Sequence, residues 1–193
     1  PALAAGAALL LAACGAQEAG NDLGPGEPTG RLRFVNVIAD TTLGRVNATL
    51  EGVAIGVNVT YTGNCPSCLP SPANATYAPV LPGSRTLVLR RTAETSRVVA
   101  TLPLTVTAGQ FQTVYGVLAA GGGSVTTFTT VDENPIPATG QARVRVVHLS
   151  PTAGPVDVFV TAPNAYLTTA TPTLANVSVR TASSYLTVPA GTY

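Results

Sequence analysis

A chain of 193 residues with ten arginines, no lysine, nine acidic residues and a formal net charge of +1 has no basic face or stripe of the kind nucleic-acid binding requires. Hydrophobic residues make up 46% of it and charged residues 10%, a balance that argues for folded structure outside any linker. The abundance of Thr, Val, Gly and Pro favours strands and turns, and no segment keeps a helical period long enough for an α/β fold, which sets aside doubly wound nucleotide-binding architectures.

From the N-terminus, Ala2 to Ala13 is a short apolar run that ends in small residues before Cys14. It is too short to span a bilayer and has the shape of a signal-peptide core. It resembles a bacterial lipobox, which implies that residues 1–14 are a lipoprotein signal segment and Cys14 the lipidated anchor. The alternative is a buried helix of a larger domain. Residues 15–30, GAQEAGNDLGPGEPTG, lack apolar periodicity and read as a flexible linker. As a coil it spans roughly 20–25 Å, which holds the first folded unit just off a membrane.

Residues 31–134 are expected to form the first domain. RLRFVN at 31–36 aligns without gaps on RVRVVH at 143–148, and farther on Val46, Ala48 and Leu50 correspond to Val156, Val158 and Val160. Arg31, Arg33 and Asn36 fall on Arg143, Arg145 and His148, and Asn47 falls on Asp157. Tyr77, Val80 and Gly83 match Tyr185, Val188 and Gly191 at the same spacing. Both copies alternate as half-buried strands do, apolar on one face and arginine-bearing on the other. Further Val/Thr-rich strands are expected over 53–61, 85–90, 97–106, 110–118 and 125–131, with turn signals between them. Ala119 to Ser124, AAGGGS, supplies a hairpin, and Pro103 within a strand points to an edge or a bulge.

The insertion at 63–78 carries Cys65 and Cys68 among prolines. With no helix following and no further ligands nearby, the pair reads as a small loop disulfide, permitted by an exported address. A metal or partner-chain link, and redox chemistry, are the alternatives. The triplets N-x-S/T at Asn47, Asn58, Asn74 and Asn176 are weak glycosylation signals in so Thr-rich a chain.

Residues 132–140, DENPIPATG, read as a junction with residues 135–140 as the linker proper, and 141–193 as a second domain. Because domain one continues well past Gly83 while the sequence ends two residues after Gly191, domain two is expected to be truncated at its C-terminus. His148, the only histidine, stands near Ser150 and Asp157. A hydrolytic triad can be drawn from the three, but Ser150 precedes a proline and no nucleophile elbow is present. The plainer expectation is that Asn36, His148 and Asp157 are polar side chains supporting turns. Asp157 and Asn47 as calcium ligands supply too few carboxylates. The arginine pairs read as solvated strand faces that guard against edge pairing, with an anionic glycan or phosphate site as the alternative.

RVRVVHLSPTAGPVDVFV, continued by Tyr185 to Tyr193, resembles the bacterial envelope family called domain of unknown function 4397, through Arg143, His148, Ser150, Pro151, Asp157, Val188, Pro189, Gly191 and Tyr193. The resemblance is closer over 141–193 and looser over 31–131. It implies an exported, often tandem, Ig-like β-sandwich and supplies no catalytic residues. The expected protein is therefore all-β, two tandem Ig-like antiparallel β-sandwich domains. Its expected role is that of a lipid-anchored, non-enzymatic binding, adhesion or scaffold module of the bacterial cell envelope. Its expected partners are a membrane through the anchor and an envelope protein or glycan, without nucleic acid, cofactor or metal. An envelope enzyme, either a hydrolase or a thiol oxidoreductase, or a presenter of a downstream domain, is the alternative.

Overall fold

A computed structural model describes residues 26, 28–40, 42–61, 77–120, 122–133 and 135–193. Cys14, Cys65, Cys68 and Asn74 lie outside the described residues, so the lipidation and disulfide expectations do too. The described chain is all-β. Its first part runs β1 (Gly30–Asn36), β2 (Val46–Leu50), β3 (Val53–Val59), β4 (Ala78–Val80), β5 (Gly83–Arg91), β6 (Glu94–Val106), β7 (Phe111–Leu118) and β8 (Val125–Asp132). These make two four-stranded sheets, ordered β4-β1-β7-β8 and β3-β2-β5-β6. Neighbours pair antiparallel except β1 and β7, which run parallel from Arg31 opposite Phe111 to Asn36 opposite Gly116.

Alternation places the core. In β1, Leu32, Phe34 and Asn36 are buried on one face, while Arg31, Arg33 and Val35 take the other. Leu32, Phe34, Val80 and Val114 of the first sheet share one apolar cluster with Val46, Ala48, Leu50, Ile55, Leu87, Leu89, Leu104 and Val106 of the second. Each Val, Leu, Ile or Phe among them contributes about 1.5–3 kcal/mol on burial, and together they hold the two sheets face to face. Gly116 is fixed by this packing. A Cβ there would stand 2.9 Å from Phe34 Cζ, so the ring's size dictates the glycine opposite it.

Pro103 sits in β6, at the edge of its sheet, where its missing N–H costs no ladder bond. The β7–β8 hairpin closes through Ala119 N–H to Ser124 O (2.8 Å), with Gly122 and Gly123 at φ of 77° and 78°, a conformation that favours glycine.

The second part runs β9 (Gln141–Val144), β10 (Val147–His148), β11 (Val156–Val158), a 3₁₀ turn at Leu167–Thr169, β12 (Leu174–Val177), β13 (Thr181–Ala182) and β14 (Leu186–Pro189). They pair as three two-stranded ribbons, β9 with β14, β10 with β13 and β11 with β12. The repeat holds at the level of register. Arg31 faces Pro79 as Arg143 faces Thr187, and Gly30 faces Val80 as Ala142 faces Val188. Val46 faces Val59 as Val156 faces Val177, each followed by a bulge.

The copies differ in two loops. The β2–β3 connection is Glu51-Gly52, whereas β11 and β12 are joined by the long stretch 159–173. Conversely, β3 and β4 are separated by 60–77, and β12 and β14 by 178–185 with β13 inside it. The strand expected to run on from Arg143 is interrupted between β9 and β10, where Val146 N–H bonds the Ser183 hydroxyl at 3.0 Å. β1 is held along its length by β7, whereas β9 and β10 are paired on one side only among the described residues.

Candidate functional site

The outer face of the β4-β1-β7-β8 sheet concentrates the chain's polar chemistry. The parallel β1–β7 register sets Arg33 beside Thr113, the antiparallel β7–β8 register sets Thr113 beside Thr130, and Asp132 closes β8 opposite Phe111. Strand alternation puts these residues on one face. Tyr77, just before β4, reaches it from the other side of β1.

Asp132 is the hub, its side chain only 2% exposed. Its Oδ2 accepts hydrogen bonds from the Tyr77 hydroxyl (2.7 Å) and from Thr113 Oγ1, and stands 3.5 Å from an Arg33 nitrogen. Its Oδ1 accepts from Thr130 Oγ1 (3.2 Å) and from Arg145 of the second repeat. Arg145 also donates to Val131 O (2.7 Å) and Thr130 Oγ1 (2.5 Å), and Arg33 Nε donates to Thr113 Oγ1 (2.6 Å). One carboxylate thus serves both copies, with Oδ2 held by the first and Oδ1 shared between them. A buried carboxylate is tolerable here because charge partners and hydroxyl donors occupy its lone pairs.

Each arginine also lies over a tyrosine. Arg33 stands 4.8 Å from the Tyr77 ring centroid, and its counterpart Arg145 stands 4.9 Å from Tyr185. Arg143 covers Tyr185 too, at 4.6 Å, and pairs through 2.7 Å with the exposed Glu133. Partial burial, with the hydrogen bond to Asp132 and its charge, pushes the Tyr77 hydroxyl up to about 12. Burial raises Tyr185 as well, Asp132 adding to the rise and Arg145 opposing it. At the far end of the same face, Arg180 of the second repeat donates to Leu118 O at 2.9 Å. Side chains of the second repeat therefore grip the first from Asp132 to Leu118. Of the two arginine pairs, Arg31 is exposed as a solvated face would have it, whereas Arg33, Arg143 and Arg145 are partly buried and stacked on tyrosines.

Among the sequence-selected polar residues, Asn36 Oδ1 accepts from Ile38 N–H (3.1 Å) while its amide donates to Val59 O (3.3 Å). His148 Nε2 lies 3.1 Å from Gly154 O, which assigns the ring proton to Nε2. Asn47 Oδ1 accepts from Asn58 N–H (2.7 Å), and Asp157 Oδ1 accepts from Asn176 N–H (2.8 Å). Asn58 and Asn176 both adopt a φ of 55°, so each copy pins a left-handed asparagine at its bulge with the side chain across the ribbon. His148 Nε2 and Asp157 Oδ1 are thus engaged away from one another and from Ser150. No group of three or more metal-capable side chains occurs among the described residues.

Arg33, Arg145, Tyr77 and Tyr185 are legible in the sequence as repeated positions but not as neighbours, and Asp132 reads there as part of the junction. The usable signal was that Arg and Tyr recur together in both copies. A concavity of ≈ 680 Å³ beside β6 and the β7–β8 hairpin is lined by Val98, Leu102, Leu118 and Val125 together with Asp40 and Arg97. Hydrogen bonds from the Thr42 hydroxyl and backbone hold the Asp40 carboxyl below its ordinary range.

A family model described as Domain of unknown function (DUF4397) matches residues 30–159, which takes in β1–β8, the junction and β9–β11. No curated protein matches the chain. No helix among the described residues is long and apolar enough to cross a membrane.

Proposed function

The chain belongs to the family described as Domain of unknown function (DUF4397), and we propose that it is a non-enzymatic binding or scaffold module whose two repeat copies are clamped into one unit. The observation that carries this reading is the Asp132 carboxylate, which joins Arg33, Tyr77 and Thr113 of the first copy to Arg145 of the second. Its buried partners are spent on one another, and that is the chemistry of a joint. Arg180 on Leu118 O adds a second point of attachment, and two separated points fix an orientation where one would permit a hinge.

A module of fixed shape suits presentation of a surface at a set distance from an anchor. Lipidation of Cys14, followed by the linker 15–30, would place the clamped pair close to a membrane of the bacterial envelope, facing an envelope protein or glycan. A Cys65–Cys68 disulfide would brace the β3–β4 loop at one end of the first sheet pair.

Small-angle X-ray scattering of the wild type and of Arg145→Ala tests the joint. The wild type should scatter as one compact body. The variant should show a larger radius of gyration and the signature of a flexible two-part particle. Superimposable profiles would show that the clamp does not set the shape.

A further inference from the structure

The loop between β11 and β12 carries an apolar tip, and we infer that this tip is a second membrane contact, which sets Tyr166 and Leu167 into the lipid interface beside the linker that leads to Cys14. Residues 158–179, VFVTAPNAYLTTATPTLANVSV, hold no charged side chain and no histidine. The matching connection of the first copy is the turn Glu51-Gly52, with Glu51 paired to Arg85 at 2.8 Å. Tyr166 is 84% exposed and Leu167 is 54% exposed, side by side where the 3₁₀ turn begins. In the first copy the equivalent turn is exposed with eight strands around it, so this end of a copy faces outward.

The loop satisfies much of its own backbone. Thr173 N–H donates to Val158 O (2.8 Å) and Val160 N–H to Thr173 Oγ1 (2.9 Å), which closes the base. Nearer the tip, Ala165 N–H donates to Ala162 O (3.3 Å) and Ala170 N–H to Leu167 O (3.2 Å). Main-chain groups bonded in this way need no water, which lowers the cost of bringing the tip against lipid. Tyrosine suits that boundary, with its ring on the apolar side and its hydroxyl among the headgroups.

The clamp sets which way the tip points. Along the first sheet, Gly30, Phe111 and Asp132 lie at one end, and Asn36, Leu118 and Val125 at the other. Arg145 holds Asp132, while Arg180 reaches Leu118 O at 2.9 Å. Arg180 N–H bonds His148 O at 2.7 Å, so His148 lies toward the Leu118 end. β11 starts there, because Gly154 O lies 3.1 Å from His148 Nε2, and β12 ends there, because Val177 stands three residues before Arg180. Both strands therefore turn their other ends, and the loop between them, toward the end where β1 begins at Gly30. The chain back to Cys14 leaves from that same end, and as a coil its linker spans roughly 20–25 Å. A lipid surface held there is the occupant this placement favours. One tyrosine and one leucine bind a bilayer weakly on their own, but a tether raises their effective concentration to about millimolar, and two attachments fix an orientation that one leaves free.

This contact rests on the reading of a chain tethered to a membrane through its N-terminus, and its test stands apart from lipidation of Cys14. The full chain is held on phosphatidylcholine vesicles through an N-terminal hexahistidine tag and a nickel-chelating lipid. The sequence has no tryptophan, so Tyr166→Trp is a single reporter at the tip. Val98→Trp, at a position 46% exposed and beside Leu118, is a single reporter at the far end. On vesicles the emission of Tyr166→Trp should shift to the blue and be quenched by lipids brominated near the headgroup, while that of Val98→Trp stays as in solution. Because the tip is uncharged, salt should leave the quenching unchanged. Adding Leu167→Asp should abolish the shift without moving the urea midpoint. Absence of the shift at position 166, equal quenching at position 98, or a shift that survives Leu167→Asp would overturn the contact. A shift on peptidoglycan fragments without one on vesicles would overturn it in favour of a glycan ligand. Fatty-acid labelling of Cys14 reads the anchor separately, so either can fail without the other.

Discussion

Removal of Asp132 is the perturbation with the largest calculable consequence. Its side chain is 2% exposed, Arg145 is 11% exposed and Arg33 is 29% exposed, so Asp132→Ala strands two partly buried guanidinium groups and three hydroxyl donors at once. Breaking a buried pair from one side costs about 3–5 kcal/mol, because the remaining charge is left uncompensated. Arg145→Ala is milder. Asp132 keeps Arg33 and three hydroxyl donors, and the loss is that of a charge-assisted bond, about 2 kcal/mol. Arg143→Ala is the control, since its partner Glu133 is 64% exposed and an exposed pair is worth about 0–1 kcal/mol. Urea unfolding of the two single variants and the double variant closes a mutant cycle. The coupling between positions 132 and 145 should be about 1–3 kcal/mol. If the two losses add to within about 0.5 kcal/mol, Arg145 and Asp132 do not act as one unit and the clamp is wrong.

Three further outcomes follow from particular residues. With its hydroxyl raised to about 12, Tyr77 keeps its proton in the folded chain while its unfolded counterpart, near 10, has lost it. Its contribution is therefore full below about pH 10 and is lost as pH rises toward 12. Spectrophotometric titration should show a late-ionising tyrosine that Tyr77→Phe removes, and an unchanged curve would contradict the Asp132 contact. Gly116→Ala drives a methyl against the Phe34 ring and should cost about 1–3 kcal/mol in urea unfolding, most of it recovered in Gly116→Ala with Phe34→Val. An additive double variant would show that the ring is not what requires the glycine. Metabolic labelling with an alkyne fatty acid in a bacterial host should mark the wild type and not Cys14→Ser, and label persisting in the variant would rule out Cys14 as the anchor.

Much of the first sheet pair was legible because its strands alternate cleanly. The apolar positions of 31–36, 46–50 and 125–131 need only a period of two to be recognised, and β1, β2 and β8 lie there within a residue. The missing donor of Pro103 points to an edge or a bulge, and the edge is where β6 lies. β4 escaped notice as a strand because three residues, one of them proline, carry no pattern.

The clamp was hidden for a different reason. Arg33, Tyr77, Thr113 and Asp132 meet through a parallel β1–β7 pairing, and nothing local in either strand announces that pairing. Asp132 begins a Pro-rich stretch, so composition assigned it to a linker, whereas register makes it the last residue of β8. Asn58 and Asn176 passed as weak glycosylation triplets, although their common φ shows that backbone geometry asks for asparagine there.

The most direct measurement is backbone ¹⁵N relaxation across both repeats. A clamped pair predicts one rotational correlation time for β1–β8 and β9–β14, which separates into two on Arg145→Ala. Independent tumbling of β9–β14 in the wild type, left unchanged by that substitution, would contradict the account.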